Sequence, residues 1–231
     1  MKKFALGISL AVAACGASAT VLDFEGIPYS KFQANIISGY SLANTNALGT
    51  NYGNLKWSQN GNINDFRIVE AAGFLARNPG TPANNGYTHG LVSGSWVATN
   101  AGAGDVWFQT LTPSAQHFNL NSAFMGAAWY NGLQVDITGY RDGVQVYSMT
   151  TNPLSFNTGL VTFNWSNLDK VMFHSQPNSG TVIDNQSTYN HAFVMDNLNI
   201  TPVPEPESIA MLLGGLGLLG LVMRRKQKTH A

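Results

Sequence analysis

The sequence predicts an all-β body, an antiparallel β-sandwich of the jelly-roll type. Three observations carry this: apolar and polar residues alternate with period two through most of the middle of the chain, turn-forming dipeptides recur at short intervals, and no stretch of the body sustains a helical apolar face. The clearest unit is the run LQVDITGYRDGVQVY. Leu133, Val135 and Ile137 alternate with Gln134, Asp136 and Thr138, Asp142-Gly143 supplies the positive φ angles of a tight hairpin, and Val144 and Val146 then alternate with Gln145 and Tyr147. One apolar and one polar face imply an antiparallel pair with one side on a core.

Taken in order, further strands are predicted at residues 21–25, 65–70, 95–99, 105–110, 118–120, 123–129, 160–163, 170–174 and 193–200. Turn signals separate them: Asn60-Gly61, Asn78-Pro79-Gly80, Asn85-Gly86, Asn131-Gly132 and Asn178-Ser179-Gly180. Residues 70–77 allow at most one short turn or helix. Residues 38–54 and 76–89 read as loops, and in a sandwich such loops gather at the ends, where ligands bind. No repeat of fixed period is visible, which argues against a solenoid or propeller.

The termini are of a different character. Lys2 and Lys3, the apolar run from Phe4 to Ala14, and Ala17-Ser18-Ala19 form a secretory signal peptide over residues 1–19, with Ala17 and Ala19 as the small residues read by signal peptidase and Thr20 as the expected mature start. A competing reading takes Val12-Ala13-Ala14-Cys15 as a lipoprotein box. Cys15 is the only cysteine, so with the signal removed neither a disulfide framework nor a cysteine nucleophile is available.

At the other end, Val203-Pro204-Glu205-Pro206-Glu207 precedes an uncharged stretch, residues 208–223, and then the basic tail 224–228 with Arg224, Arg225 and Lys226. As a helix the stretch would span roughly 24 Å against a hydrocarbon core of about 30 Å. It reaches across only if the arginines snorkel, and the basic cluster would keep the tail on the cytoplasmic side of the inner membrane. These residues resemble the PEP-CTERM sorting signal of Gram-negative bacteria, here residues 203–231. The resemblance implies processing by an exosortase, a membrane protease or transpeptidase that cuts near Pro204, Glu205 and Pro206, in a host that makes exopolysaccharide. An ordinary stop-transfer helix on a proline-rich stalk is the plainer alternative.

The body, residues 20–202, has a length suited to one domain. The whole chain balances 12 Lys and Arg against 12 Asp and Glu, but six Lys and Arg against ten Asp and Glu within the body leave it at −4. That is no footprint for nucleic acid. Leu22 and Phe24 are expected on one face of the first strand. Asp196 is expected on the same face of the last strand as Val194, Leu198 and Ile200, where a carboxylate needs a partner. The opening Asp-Phe-Glu-Gly and closing Met-Asp-Asn-Leu resemble galactose-binding-like jelly rolls of carbohydrate-binding modules. That resemblance implies one structural Ca2+ held by Glu25 and Asp196, with Asp23 and Asn197 as further ligands; the alternative is a pair of solvated or hydrogen-bonded strand ends.

Five tryptophans offer stacking surfaces for sugar rings. Trp96 and Trp107 lie in apolar strands and are expected in the core, whereas Tyr52, Trp57 and Tyr87, in or beside loops, are the ligand candidates. The histidines are dispersed, and no His-Glu-x-x-His pair, Gly-x-Ser-x-Gly elbow or phosphate loop is present. Nothing selects a carboxylate pair for glycoside hydrolysis. The expectation is an exported, non-enzymatic protein of the cell surface or extracellular matrix that binds exopolysaccharide in a biofilm or floc. The alternatives are a structural or adhesive protein that binds itself or other surface proteins, and an exported hydrolase.

Overall fold

The computed structural model describes residues 18–26, 40–41, 52–58, 65–77, 83–100, 103–113, 116–153, 157–182, 191–204 and 213–220. In chain order the elements are β1 (Thr20–Leu22), β2 (Tyr40–Ser41), a 3-10 turn (Tyr52–Asn54), β3 (Leu55–Trp57), β4 (Phe66–Glu70), α1 (Ala71–Arg77), α2 (Gly86–His89), β5 (Trp96–Asn100), β6 (Val106–Thr110), β7 (His117–Ala127), β8 (Tyr130–Arg141), β9 (Val144–Thr151), β10 (Gly159–Leu168), β11 (Lys170–Val182) and β12 (Phe193–Val203). They form two antiparallel sheets, as the alternation predicts. One runs β10-β7-β12-β5-β4-β2, with β1 added on β12, and the other runs β3-β6-β11-β8-β9.

The main core lies between the sheets. Phe66, Phe108, Phe173 and Phe193 meet there at ring centroid distances of 5.4–5.9 Å, with Trp57 edge-on to Phe66 at 4.9 Å. Tilted and edge-to-face contacts of this kind stabilise the core beyond the burial of apolar area. The hairpin is as the sequence predicts: β8 and β9 pair, and Asp142 and Gly143 both have positive φ, 51° and 76°. The predicted strands at 118–120 and 123–129 are one strand, β7, because Ser122 pairs with Thr162 of β10 and Asn199 of β12 and the strand runs on through an irregularity at Asn121.

A second, smaller core covers the outer face of the seven-stranded sheet. Val69, Val97 and Val194 project from β4, β5 and β12 and are covered by Phe74 of α1, Tyr87 of α2 and Trp129. The Asn85-Gly86 signal is here a helix start and not a simple turn. Asn85 Oδ1 accepts from the amides of Tyr87 (2.9 Å) and Thr88 (3.3 Å), and Thr88 returns a bond to the Asn85 amide, a capping box. Gly86 is required by close approach: its amide donates to Ala128 O at 2.8 Å, and a Cβ there would lie 1.9 Å from Ala127 O.

The last strand departs from its predicted phase. Asn197 has φ 49°, and the register of β12 against β7 shifts between Asp196 and Asn199. The bulge leaves Leu198 and Ile200 in the main core but turns Val194 into the outer one, so Asp196 does not share a face with Leu198 and Ile200 as predicted. The first strand is shorter than predicted because Phe24 adopts φ 61°, which ends the ladder after Leu22. Residues 213–220 are helical. Among the described residues no helix is long and apolar enough to cross a membrane, and the rest of the predicted span 208–223 lies outside the described residues.

Gly86→Ala is expected to destabilise the fold by about 2–3 kcal/mol, because the added methyl meets backbone that cannot yield cheaply. Denaturant unfolding with tryptophan fluorescence measures it.

Candidate functional site

Two places on the sandwich gather polar chemistry. The first is the loop 92–96, which Glu25 and Asp196 hold from two sides. Asp196 is fully buried, 0% exposed. Its Oδ2 accepts from the amides of Val92 (2.8 Å) and Ser93 (2.9 Å), and its Oδ1 from the amide of Asn197 (2.7 Å). Glu25 Oε1 accepts from the amides of Ser95 (2.6 Å) and Trp96 (2.8 Å). Gly94 sits between the two carboxylates with φ 58°, and a Cβ on it would lie 2.1 Å from Glu25 Oε1. The loop can pass between them only with glycine at that point.

Of the other predicted calcium ligands, Asp23 Oδ1 accepts from the amide of Glu25 (3.1 Å) and the hydroxyl of Tyr52 (3.3 Å), while Asn197 Oδ1 accepts from Ser93 Oγ (2.8 Å). Calcium takes six to eight oxygen ligands. Here both oxygens of Asp196 accept from amide donors, whose N–H dipoles present their positive ends to the carboxylate, so Glu25, Asp196, Asp23 and Asn197 each already take a hydrogen bond from the protein. The backbone supplies the positive charge that a cation would.

Burial raises the Asp196 carboxyl above its ordinary range; the amides of Ser93, Val92 and Asn197 oppose the rise, and the nearby Glu25 charge adds to it. Burial likewise raises the phenols of Tyr52 and Tyr87.

Of the three predicted ligand-binding aromatics, two are buried and one is half-buried. Trp57 is 2% exposed and lies in the main core, because β3 pairs with β6 and turns the ring inward. Tyr87 is 6% exposed under α1. Tyr52 packs against the main core, and its hydroxyl accepts from the amide of Phe24 at 2.6 Å.

The second place is the outer face of the five-stranded sheet. Both helices pack on the other sheet, so this face is lined by alternate residues of β6, β11, β8 and β9. Trp107, Met172, Thr138 and Ser148 form one row across it, and Gln109, Lys170 and Tyr140 form the next. Trp107 is half-buried and outward, not in the core as predicted; Trp96 is in the core. Period two carried the signal, since Trp107 has the parity of Gln109 and the opposite parity to Val106 and Phe108.

Lys170 Nζ stands 5.1 Å from the centre of the Trp107 ring and 5.7 Å from that of Tyr140, and Lys56 Nζ stands 6.0 Å from Trp107. These cation–π contacts hold the aromatics upright on the sheet. Beside them Asp136 accepts from Thr150 Oγ1 (2.6 Å), Gln176 Nε2 (3.1 Å) and Gln134 Nε2 (3.1 Å), and His174 Nδ1 lies 2.6 Å from Asp105 Oδ1. The face thus offers ring surfaces alongside a grid of hydroxyl, amide and carboxylate groups.

Of the residues predicted for processing, Ala19 and Pro204 are exposed, Pro204 directly following β12. Ala17, Glu205, Pro206, Arg224 and Arg225 lie outside the described residues. Residues 202–226 match the family model for the PEP-CTERM protein-sorting motif. The tail is a PEP-CTERM sorting motif. It marks the chain as exported and sorted by an exosortase to the cell surface.

No curated protein matches the chain by sequence. Among solved structures, a DUF4465 family protein from Bacteroides ovatus is similar at 8% identity and TM-score 0.42, over 60% of this chain and 72% of that one. TmCBM61 in complex with β-1,4-galactotriose is similar at 8% identity and TM-score 0.35, over 69% and 94%, and a CBM4 structure at 17% identity and TM-score 0.29, over 63% and 92%.

Asp196→Asn replaces an acceptor by an amide that confronts other N–H groups, and is expected to cost about 2–4 kcal/mol at neutral pH. The folded state binds the Asp196 proton more tightly than the unfolded chain does. Stability from this group is therefore gained as pH falls through the raised folded value towards the ordinary carboxylate value, and lost as pH rises. The stability gap between the wild type and the variant should widen as the pH is lowered through that window, measured by urea unfolding in a pH series.

Proposed function

We propose that the body is a non-enzymatic polysaccharide-binding module, delivered to the cell surface of a Gram-negative bacterium by its sorting motif. The observation that carries this is the outward pair Trp107 and Tyr140, flanking Lys170 beside the Asp136 hydrogen-bond cluster on a sheet face that neither helix covers. Aromatic rings match the C–H faces of sugars, and hydroxyl, amide and carboxylate groups at fixed spacing match their hydroxyls. With a net charge of −4, the body is suited to neutral sugars more than to acidic ones. In this reading signal peptidase removes the leader, exosortase acts at Pro204-Glu205-Pro206, and the released or attached body holds exopolysaccharide in a biofilm or floc.

A second reading, self-association into an adhesive layer, is favoured by the exposed Val144 and Val146 on β9 and Leu160 on β10, which are the edge strands of the two sheets. Assembly that depends on protein concentration and needs no sugar would support it.

In pull-downs with the polysaccharide of the producing cell, Trp107→Ala and Tyr140→Ala are each expected to weaken binding by about tenfold, with unfolding midpoints close to that of the wild type. Retention by both variants at the wild-type level would sink the proposal. Replacing Pro204, Glu205 and Pro206 by alanine is expected to leave the tail uncut, visible as a larger, membrane-associated chain on immunoblots of fractionated cells.

A further inference from the structure

At one end of the sandwich three chemistry-bearing side chains arrive from three separate elements. His117 is the first residue of β7, in the seven-stranded sheet; Asp142 is in the turn between β8 and β9; Asp169 is the single residue linking β10 to β11. One ligand atom from each lies within 4.8 Å of the other two, and His117 Nε2 is 3.8 Å from Asp142 Oδ1. We propose that His117, Asp142 and Asp169 form a site for a divalent transition-metal cation of the zinc type, bridging the two sheets.

The polar groups here need what such an ion supplies. The His117 side chain is 19% exposed, yet its Nε2 is buried and has no hydrogen-bond partner. A buried ring nitrogen left in that condition is destabilising. Asp169 is 3% exposed, and its Oδ2 accepts from the amide of Asp142; among the described residues no basic side chain forms an ion pair with it. The cations next to the two aspartates in sequence point elsewhere: Arg141, beside Asp142, donates from Nε to Asn167 O (2.6 Å) and from Nη2 to Ser166 O (3.0 Å), and Lys170, beside Asp169, sets its Nζ over the Trp107 ring at 5.1 Å. A second buried oxygen without a partner, Thr110 Oγ1, belongs to the residue whose amide donates to Asp169 O at 2.8 Å. Two carboxylates and a neutral imidazole form a doubly negative set that a divalent cation neutralises.

The donor set selects the ion. One imidazole nitrogen with two carboxylates is a zinc-type combination with a fourth position left for water, whereas calcium prefers oxygen ligands throughout. Tetrahedral coordination brings ligand atoms to roughly 3.3–3.5 Å from one another. Closing the present spacing therefore takes about 1 Å of side-chain movement, which Asp142, with its side chain 63% exposed, is free to make. Asp169 is already fixed, since its own amide donates to Tyr140 O (3.0 Å) and its carbonyl accepts from Thr110. His117 also pairs with Val203, the last residue of β12 before Pro204, so a bound ion would fasten the sandwich where the sorting motif leaves it.

The test uses the full-length chain in detergent, stripped with a chelator and titrated with Zn2+ or with Ca2+. Zn2+ at about a hundredfold excess over its Kd is expected to raise Tm by roughly 5–10 °C. The shift should vanish in His117→Ala and shrink in Asp142→Asn, which keeps the left-handed turn that asparagine tolerates. It should persist in His174→Ala, which removes the exposed His174–Asp105 pair. Co2+ should give a visible absorption band that Zn2+ displaces and that His117→Ala lacks. No Tm shift with Zn2+, an equal shift with Ca2+, or a shift retained in both His117→Ala and Asp142→Asn would overturn the assignment. None of these readouts involves sugar, so the outcome is independent of the carbohydrate reading.

Discussion

The carboxylate of Asp196 has no accessible surface, and among the described residues no basic side chain reaches it. A buried charge in this situation must be paired, neutralised or surrounded by donors. The protein uses the third course. A loop of five residues turns four of its amides inward, those of Val92 and Ser93 to Asp196 and those of Ser95 and Trp96 to Glu25. Because Gly94 alone fits between them, the loop, the end of the first strand and the middle of the last are fixed together. The body carries few cations, and backbone dipoles replace them.

That clamp also decides which sheet is covered. The bulge at Asn197 turns Val194 and Asp196 away from the main core, and the loop held by Asp196 leads into β5, whose Val97 joins Val194 and Val69 under α1 and α2. The seven-stranded sheet is therefore packed on both faces. Among the described residues the five-stranded sheet is packed on one, and its other face keeps the alternation of half-exposed polar and aromatic side chains on which the proposed binding surface rests. Packing is divided between the sheets by the direction in which one strand was bulged.

The parts of this fold that were legible in the sequence are those set by local chemistry. Asp142-Gly143 demanded a hairpin, and β8 and β9 followed from the flanking alternation. Strands β4, β5, β6 and β12 were likewise legible as short runs rich in apolar β-branched and aromatic residues. What local chemistry does not encode is phase across an irregularity. Asn197 reads as an ordinary strand residue until its left-handed backbone is seen, and that one residue moved Asp196 to another face. Asn85-Gly86 reads as a turn, and only its contact with Ala127 and Ala128 makes it a helix start. The outer face of the five-stranded sheet was partly legible: the parity of Trp107 with Gln109 was available, but the apolar content of the strand concealed it. The cluster of His117, Asp142 and Asp169 was not legible, since one comes from a strand and two from separate connections, and only the register of two sheets brings them together.

The last strand joins these matters to the fate of the chain. β12 lies between β7 and β5 and also carries β1, so it is an interior strand and cannot be withdrawn without opening the sheet. Its ladder runs through Pro202, paired with Phe118, to Val203, paired with His117, and then stops. Proline has no amide to donate, so Pro204, directly after Val203, cannot extend the ladder. The sorting motif therefore begins just beyond the last paired residue. Cleavage there leaves β12 whole, whereas a cut a few residues earlier would remove ladder bonds from the centre of the sheet. The position of the sorting motif is thus constrained by the fold as well as by the enzyme that reads it: the tail begins where the sandwich no longer needs the chain.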